Sequence, residues 1–315
     1  MATNSSPSPC NAALTPERLI RAAAELRGAC RTGFAEAGPV DDRHVAIYRD
    51  WIAAGSHGSM GYLERYDDIR RDPRLLLDGA RSIICCAFDY RQPYHNRHIA
   101  DYALGDDYHT VVRRQLESLA AYIRERFGGE TRVCVDTAPI RERYWASRAG
   151  LGVIGLHNQL IVPGIGSQVF LGEVLWTGEL PPDKSLLDSD CGHCGRCHSA
   201  CPGGAIDGRG GLDARRCHSY LTIECRDNLD DSVSLGDNIV GCDICQRVCP
   251  HNIPVTTPPA LFRPRPDVVA LTREAIAAMD HDSYCTAFRD SAIRRIKHPR
   301  LIYLAQKKHQ NRRSI

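Results

Sequence analysis

Seven of the chain's fifteen cysteines fall into two spaced runs, and an eighth stands between them. Cys191, Cys194, Cys197 and Cys201, followed by Pro202, spell C-x2-C-x2-C-x3-C-P. In such a run three thiolates grip one [4Fe–4S] cube and the fourth reaches a second. Cys242, Cys245 and Cys249, followed by Pro250, repeat the pattern one ligand short, and Cys217 upstream supplies it. Exchanging the fourth ligands assigns Cys191, Cys194, Cys197 and Cys249 to one cluster, and Cys217, Cys242, Cys245 and Cys201 to the other. Zinc is the rival reading, since C-x2-C pairs bind it as well. Zinc does not require a third cysteine at x2 and a fourth before proline, twice over. Two cubes imply low-potential, one-electron traffic without saying where the electrons go.

Other chemistry-bearing residues are sparser. Asp136 ends an apolar run and opens Asp136-Thr137-Ala138-Pro139; a carboxylate there is a proton donor if burial raises its pKa, or else a turn former. Tyr108-His109 opens a helical pattern, where a lone histidine reads as a cap or packing residue. Gly150-Leu-Gly152-Val-Ile-Gly155 matches G-x-G-x-x-G. A dinucleotide fingerprint must follow a strand and open a helix, and this one does the reverse.

The positioning elements follow from periodicity. A helix is expected over 14–28, with Thr15 as N-cap and Leu19, Ala23 and Leu26 on one face. Gly55, Gly58 and Gly61 punctuate a loop-rich stretch. The apolar run 82–88 predicts a buried strand, with Cys85 and Cys86 as core residues. Val112, Leu116, Leu119, Ile123 and Phe127 predict a long helix stopped at Gly128. A strand over 131–135, a short helix over 141–149 and strands over 159–162 and 168–176 complete an α/β half. From Cys191 to Pro250 apolar runs nearly vanish, so something inorganic must organise that stretch.

These elements predict an α+β chain in four parts. A disordered tail covers 1–13, a mixed α/β domain 14–180, a two-cluster ferredoxin-like domain 181–253, and a Pro-rich linker with a basic helical segment 254–315. Lys and Arg number 40 against 38 acids, yet 291–315 holds eight basic residues and no acid. A basic end on an acidic body suits a polyanion, or is simply a solvated helix. No stretch approaches the ~20 apolar residues of a membrane span. The Ser/Pro-rich start lacks the pattern of a secretory signal, so a cytoplasmic protein without disulfides is expected.

Beyond the cysteines, Val135-Asp136-Thr137-Ala138-Pro139, Glu142-Arg143 and Ala149 to Gly155 resemble the epoxyqueuosine reductase signature. So do Gly105 to His109 and Ser219-Tyr220-Leu221-Thr222-Ile223-Glu224. The resemblance runs from about Leu14 to Arg295. It implies a cobalamin-dependent iron–sulfur enzyme that reduces epoxyqueuosine to queuosine in the anticodon loop of tRNA, with Co(I) in base-off cobalamin fed by two [4Fe–4S] clusters. By the same resemblance Asp136 is the proton donor, and Arg70, Leu160, Leu171, Ser219 and Asp243 touch the corrinoid. Arg289, Arg294, Arg295, Lys297 and Arg300, before a flexible 307–313 tail, are expected to hold tRNA phosphates as the only segment with the charge to do so. A monomer supplied by a low-potential electron donor is expected. A plain electron-transfer protein and a dehalogenase-like corrinoid reductase are the alternatives. The chain departs from the family at Val153, usually Trp, and at Gly155-Leu156-His157-Asn158, where Gly-Lys-Asn-Thr is usual. Ile302-Tyr303 replaces an Arg-Asn pair, and the helical repeat domain that many members carry is not expected here, which trims the expected tRNA-contact surface.

Overall fold

The computed structural model describes residues 15–307. The expected 1–13 tail, Cys10 and positions 308–313 lie outside the described residues. A four-stranded sheet forms the centre, in the order β1 (Arg31–Glu36), β2 (Ser82–Asp89), β6 (Val169–Trp176), β3 (Thr131–Cys134), with every neighbouring pair antiparallel. A two-stranded hairpin, β4 (Val153–Ile154) with β5 (Leu160–Ile161), stands apart from it.

Strand alternation builds two cores on this sheet. Successive side chains on a strand point to opposite faces, so Ile84, Cys86 and Phe88 of β2 enter one core and Ile83, Cys85 and Ala87 the other. The vicinal cysteines are therefore separated by the sheet itself. Helices α1 (Pro16–Glu25) and α4 (Tyr108–Phe127) cover the first face, and α5 (Glu142–Arg148) covers the second. Between β1 and β2 lie α2 (Asp42–Ala53) and the single turn α3 (Asp67–Arg71).

The expected heptad-like face of α4 is buried as read, through Val112, Leu116, Leu119 and Ile123, and Gly128 stops the helix at φ +76°. α1 is shorter than expected and rotated. Ile20, Ala23 and Ala24 face the core, while Leu26 lies beyond its end at 88 % exposure. β1 and α2 are absent from the sequence reading. Gly33 interrupts the β1 pattern because a Cβ there would stand 2.0 Å from the Ala149 carbonyl oxygen.

The cysteine-rich segment carries only short helices, α6 (Arg196–Ala200), α7 (His218–Ile223) and α8 (Ile244–Arg247). Four more follow: α9 (Pro266–Val269), α10 (Arg273–Ala277), α11 (His281–Ala287) and α12 (His298–Gln306). They bury Val268, Ile276, Tyr284, Leu301 and Leu304 against Leu221, Ile239 and Ile99. The Pro-rich stretch before them is not a free linker, since Phe262 is 5 % exposed inside the first core. Lys307 is likewise anchored, its ammonium donating to the carbonyls of Leu229 and Asp230. No described helix is long and apolar enough to cross a membrane.

The G-x-G-x-x-G stretch has a structural explanation. It runs from α5 into β4, and a Cβ on Gly152 would meet the Ile161 carbonyl oxygen of β5 at 2.1 Å. Gly152→Ala is therefore expected to cost about 1–3 kcal/mol, the usual penalty of overpacking, read as a lower midpoint in urea unfolding.

Candidate functional site

The two thiol quartets gather as the spacing assigned them. Cys191, Cys194, Cys197 and Cys249 line one small void of about 10 Å³, shared with Leu156 and His157. Cys201, Cys217, Cys242 and Cys245 line the wall of a separate, larger chamber of about 530 Å³. Burial pushes the thiols of Cys242 and Cys217 up, with the charge of Cys217 adding to it at Cys242 and that of Cys201 at Cys217; a bound metal must displace those protons. Among the described residues no three His, Cys, Asp or Glu side chains converge closely enough to hold a single metal ion. Thiols gathered without converging on one point suit a group wider than one zinc ion, as a four-iron cube is. The Nε2 of His157 is buried beside the first void without a partner. The ring's Nδ1 accepts the Gln159 N–H, which leaves Nε2 as a spare donor suited to a cluster sulfur.

The chamber is lined by the rings of Tyr90, Tyr102 and Phe170 and by Ser219, Asp243 and Gln246. Such a pairing of broad apolar rings with amide- and hydroxyl-bearing side chains suits a large planar macrocycle with amide arms. An outer cleft of about 1,170 Å³ opens beside it, and Tyr62, Tyr108, Asp136, Ser219 and Glu224 line both. Asp136 stands at this junction, its side chain 46 % exposed.

Three elements fix that carboxylate. β3 delivers it, and its backbone takes a left-handed φ of +47°, a conformation Asp tolerates better than most residues. Its N–H donates to Glu142 Oε1 at the start of α5 (2.5 Å). The Tyr108 hydroxyl donates to Oδ1 (3.1 Å) and His109 Nε2 donates to Oδ2 (2.9 Å). His109 in turn donates from Nδ1 to Asp107 (2.6 Å), the N-cap of α4, and its ring stacks on Tyr108. Histidine with carboxylates on both nitrogens is held as imidazolium. Burial alone would lower its pKa, but the bonds to Asp107 and Asp136 lift it to about 9. For Asp136, burial pushes the carboxyl up, yet the bond and charge of His109, with Tyr108 and Arg295, hold it below the usual range. The expectation that burial would raise Asp136 is reversed by this neighbour. Glu142 is the carboxyl that is raised, through burial first and then the charge of Asp136.

Comparison with known proteins decides the family. An epoxyqueuosine reductase of Synechococcus sp. (strain CC9605) is 40% identical over 269 residues, 81% of this chain and 81% of that one. The chain belongs to the epoxyqueuosine reductase family. The family description "Epoxyqueuosine reductase QueG, DUF1730" matches residues 70–137, and "4Fe-4S double cluster binding domain" matches 190–252. An epoxyqueuosine reductase solved with an epoxyqueuosine-modified tRNA stem loop superposes with a TM-score of 0.81 at 27% identity, covering 92% of this chain and 79% of that one. A Bacillus subtilis epoxyqueuosine reductase, solved with its catalytic aspartate loop swung out of the active site, gives a TM-score of 0.80 at 26% identity over 92% of this chain and 79% of that one.

Against the family expectations, Leu171, Ser219 and Asp243 line the inner chamber and Arg70 the outer cleft. Leu160 does not line the chamber. It is 2 % exposed in the second core, and strand alternation presents its neighbour Gln159 instead. Of the basic C-terminal set, Arg294 and Arg295 reach the cleft, with Arg295 paired to Glu224 (2.9 Å). Arg300 is engaged with the carbonyls of Leu221 and Asp227, and Arg289 and Lys297, though exposed, are not on the cleft wall. Nor is the C-terminus alone in supplying charge: Arg65, Arg113 and Arg114 line the same cleft. The adjacent arginines on the outer face of α4 were the available signal. At the departures, Leu156 packs beside Cys197 and Asn158 donates to the Gly210 carbonyl.

Asp107→Asn is expected to lower the pKa of His109 from about 9 toward its ordinary value, read by following the imidazole nitrogens in an NMR titration.

Proposed function

We propose that this protein reduces epoxyqueuosine to queuosine in the anticodon loop of tRNA. It acts as a cytoplasmic monomer fed by a low-potential one-electron donor, with two [4Fe–4S] clusters and a cobalamin. The observation that carries the reading is a carboxylic acid group, Asp136, at the junction of a thiol-walled chamber and an arginine-lined cleft. Cys191, Cys194, Cys197 and Cys249 would hold one cluster and Cys201, Cys217, Cys242 and Cys245 the other. Leu171, Ser219 and Asp243 would meet the corrin, with Arg70 at the cleft side. When bound, these groups supply single low-potential electrons and a strongly reducing metal centre.

The chain's own residues do the rest. An anticodon loop offers unpaired bases that splay out into a pocket. Arg65, Arg70, Arg113, Arg114 and Arg294 are placed to hold the flanking phosphates while the modified base enters past Tyr62. Asp136 is placed to give a proton to the epoxide oxygen as its C–O bond opens, and Tyr108 and Glu142 fix the direction of that carboxyl. A plain electron-transfer protein would need neither the cleft nor the acid.

The anaerobically loaded protein is expected to carry about eight irons per chain and to convert an epoxyqueuosine-bearing stem loop to the queuosine form. Asp136→Asn should keep iron and cobalamin while losing about 10²–10⁴-fold in turnover. Arg113→Glu with Arg114→Glu should weaken stem-loop binding and flatten its salt dependence by roughly 0.7 per lost phosphate contact. Iron-free protein holding zinc, or unchanged turnover in Asp136→Asn, would overturn the reading.

A further inference from the structure

Deoxygenating an epoxide consumes two electrons and two protons: both C–O bonds break, one C=C bond forms, and the oxygen leaves as water. The electrons come one at a time from the low-potential donor. A single carboxyl can give only one proton before it is an anion, and the second must reach the same oxygen to turn a bound hydroxyl into water. The site therefore needs a second proton within reach of the first donor.

We infer that His109 is the proton store that charges Asp136 for each of the two protonations. The inference rests on the proposed function, and its geometry is specific. The Nε2–H of His109 points at Asp136 Oδ2 across 2.9 Å, while Nδ1–H points at Asp107 across 2.6 Å. Both nitrogens face carboxylate oxygens, so the ring carries a proton at each. At rest Asp136 is the carboxylate of the pair, held below its usual range by His109. As the epoxide opens, the Nε2 proton moves along the existing hydrogen bond to Oδ2 and makes Asp136 the acid that protonates the oxygen. Asp136 is then again a carboxylate, His109 is neutral, and Asp107 holds the ring in the tautomer protonated at Nδ1. Solvent in the outer cleft, which His109 also lines, restores the imidazolium, and a second passage of the same kind releases water.

The surroundings keep the proton on His109 until the opening epoxide draws on it. His109 bonds to Asp107 and Asp136 and stacks on Tyr108, Glu142 of α5 faces it by charge, and Arg113 of its own helix, Glu224 just after α7, and Arg294 and Arg295 of the C-terminal segment line the same cleft. The two carboxylates in direct contact stabilise the charged ring and place its pKa near 9, so the store is full at neutral pH. Losing the Nε2 proton leaves the Asp107 bond in place. His109 acts through Asp136, which makes it a positioning residue for the proton and not a catalytic residue in contact with substrate.

The test uses the fully loaded enzyme and an epoxyqueuosine stem loop. In the parent, kcat should fall as pH rises through about 9, because the high-pH form of His109 has no proton to pass. His109→Gln keeps a hydrogen-bonding side chain yet stores no proton. Its alkaline limb should move well toward acid and its kcat at neutral pH should drop about 10²-fold, with iron, cobalamin and stem-loop affinity unchanged. Added imidazole should restore kcat in His109→Ala in proportion to imidazolium concentration. Asp107→Asn, which leaves the histidine in place, should shift the parent's alkaline limb downward. Loaded His109 variants with the parent's kcat and pH limb would overturn the inference, as would a loss that imidazole leaves untouched. If neither His109 variant retains its cofactors, the Asp107→Asn limb decides, and an unmoved limb overturns it. Failure of the parent itself to convert the stem loop would instead sink the proposed function.

Discussion

The site depends on one ion pair, His109 to Asp136. It joins the first turn of α4 to the loop after β3, two segments that the sheet brings side by side because β3 pairs with β6 and α4 packs across both. The strain of a left-handed aspartate is tolerated there because Tyr108, His109 and Glu142 bond to it from two helices. A charge-assisted bond of this kind is roughly twice as strong as a neutral one. Remove it, and Asp136 loses both its direction and its acidity control together.

The thiol-rich segment has a different source of order. Its apolar cluster is small, with Leu156, Cys197 and Ile206 buried and Cys191, Cys201 and Cys245 only partly so. It is supported from outside, where α9 to α12 and the 98–104 strip close a third core over α7. That packing explains why 254–315 is built into the body and is not a linker with an appended helix. It also explains why several of its arginines are occupied with backbone carbonyls and not free for a polyanion.

The legible parts were those written in local spacing. The cysteine runs, the apolar face of α4, the buried β2 and the rejection of a dinucleotide fingerprint all follow from neighbours within a few positions. What was missed depends on distant partners. β1 hides behind Gly33, whose reason is a carbonyl more than a hundred residues away. His109 reads as a cap from its neighbours and becomes an imidazolium only beside Asp136. Leu160 and Gln159 differ in role through strand parity alone, and a short strand does not announce which face is inward. The charge of the cleft is assembled from three separate stretches, so counting by segment located only one of them.

The shared void of Cys191, Cys194, Cys197 and Cys249 has a consequence for biosynthesis. The first three thiols emerge together, whereas the fourth follows Cys197 by 52 positions. At a ribosomal rate of roughly 5–20 residues per second, that wall is missing for about 3–10 s. During that interval Cys201 and Cys217 also await Cys242 and Cys245. Neither quartet can close on a half-made segment, so both must be filled after the whole stretch has left the ribosome. The nascent thiols are then open to oxygen and to stray metals for the duration, and the order of the residues alone makes delivery of iron and sulfide wait for Cys249.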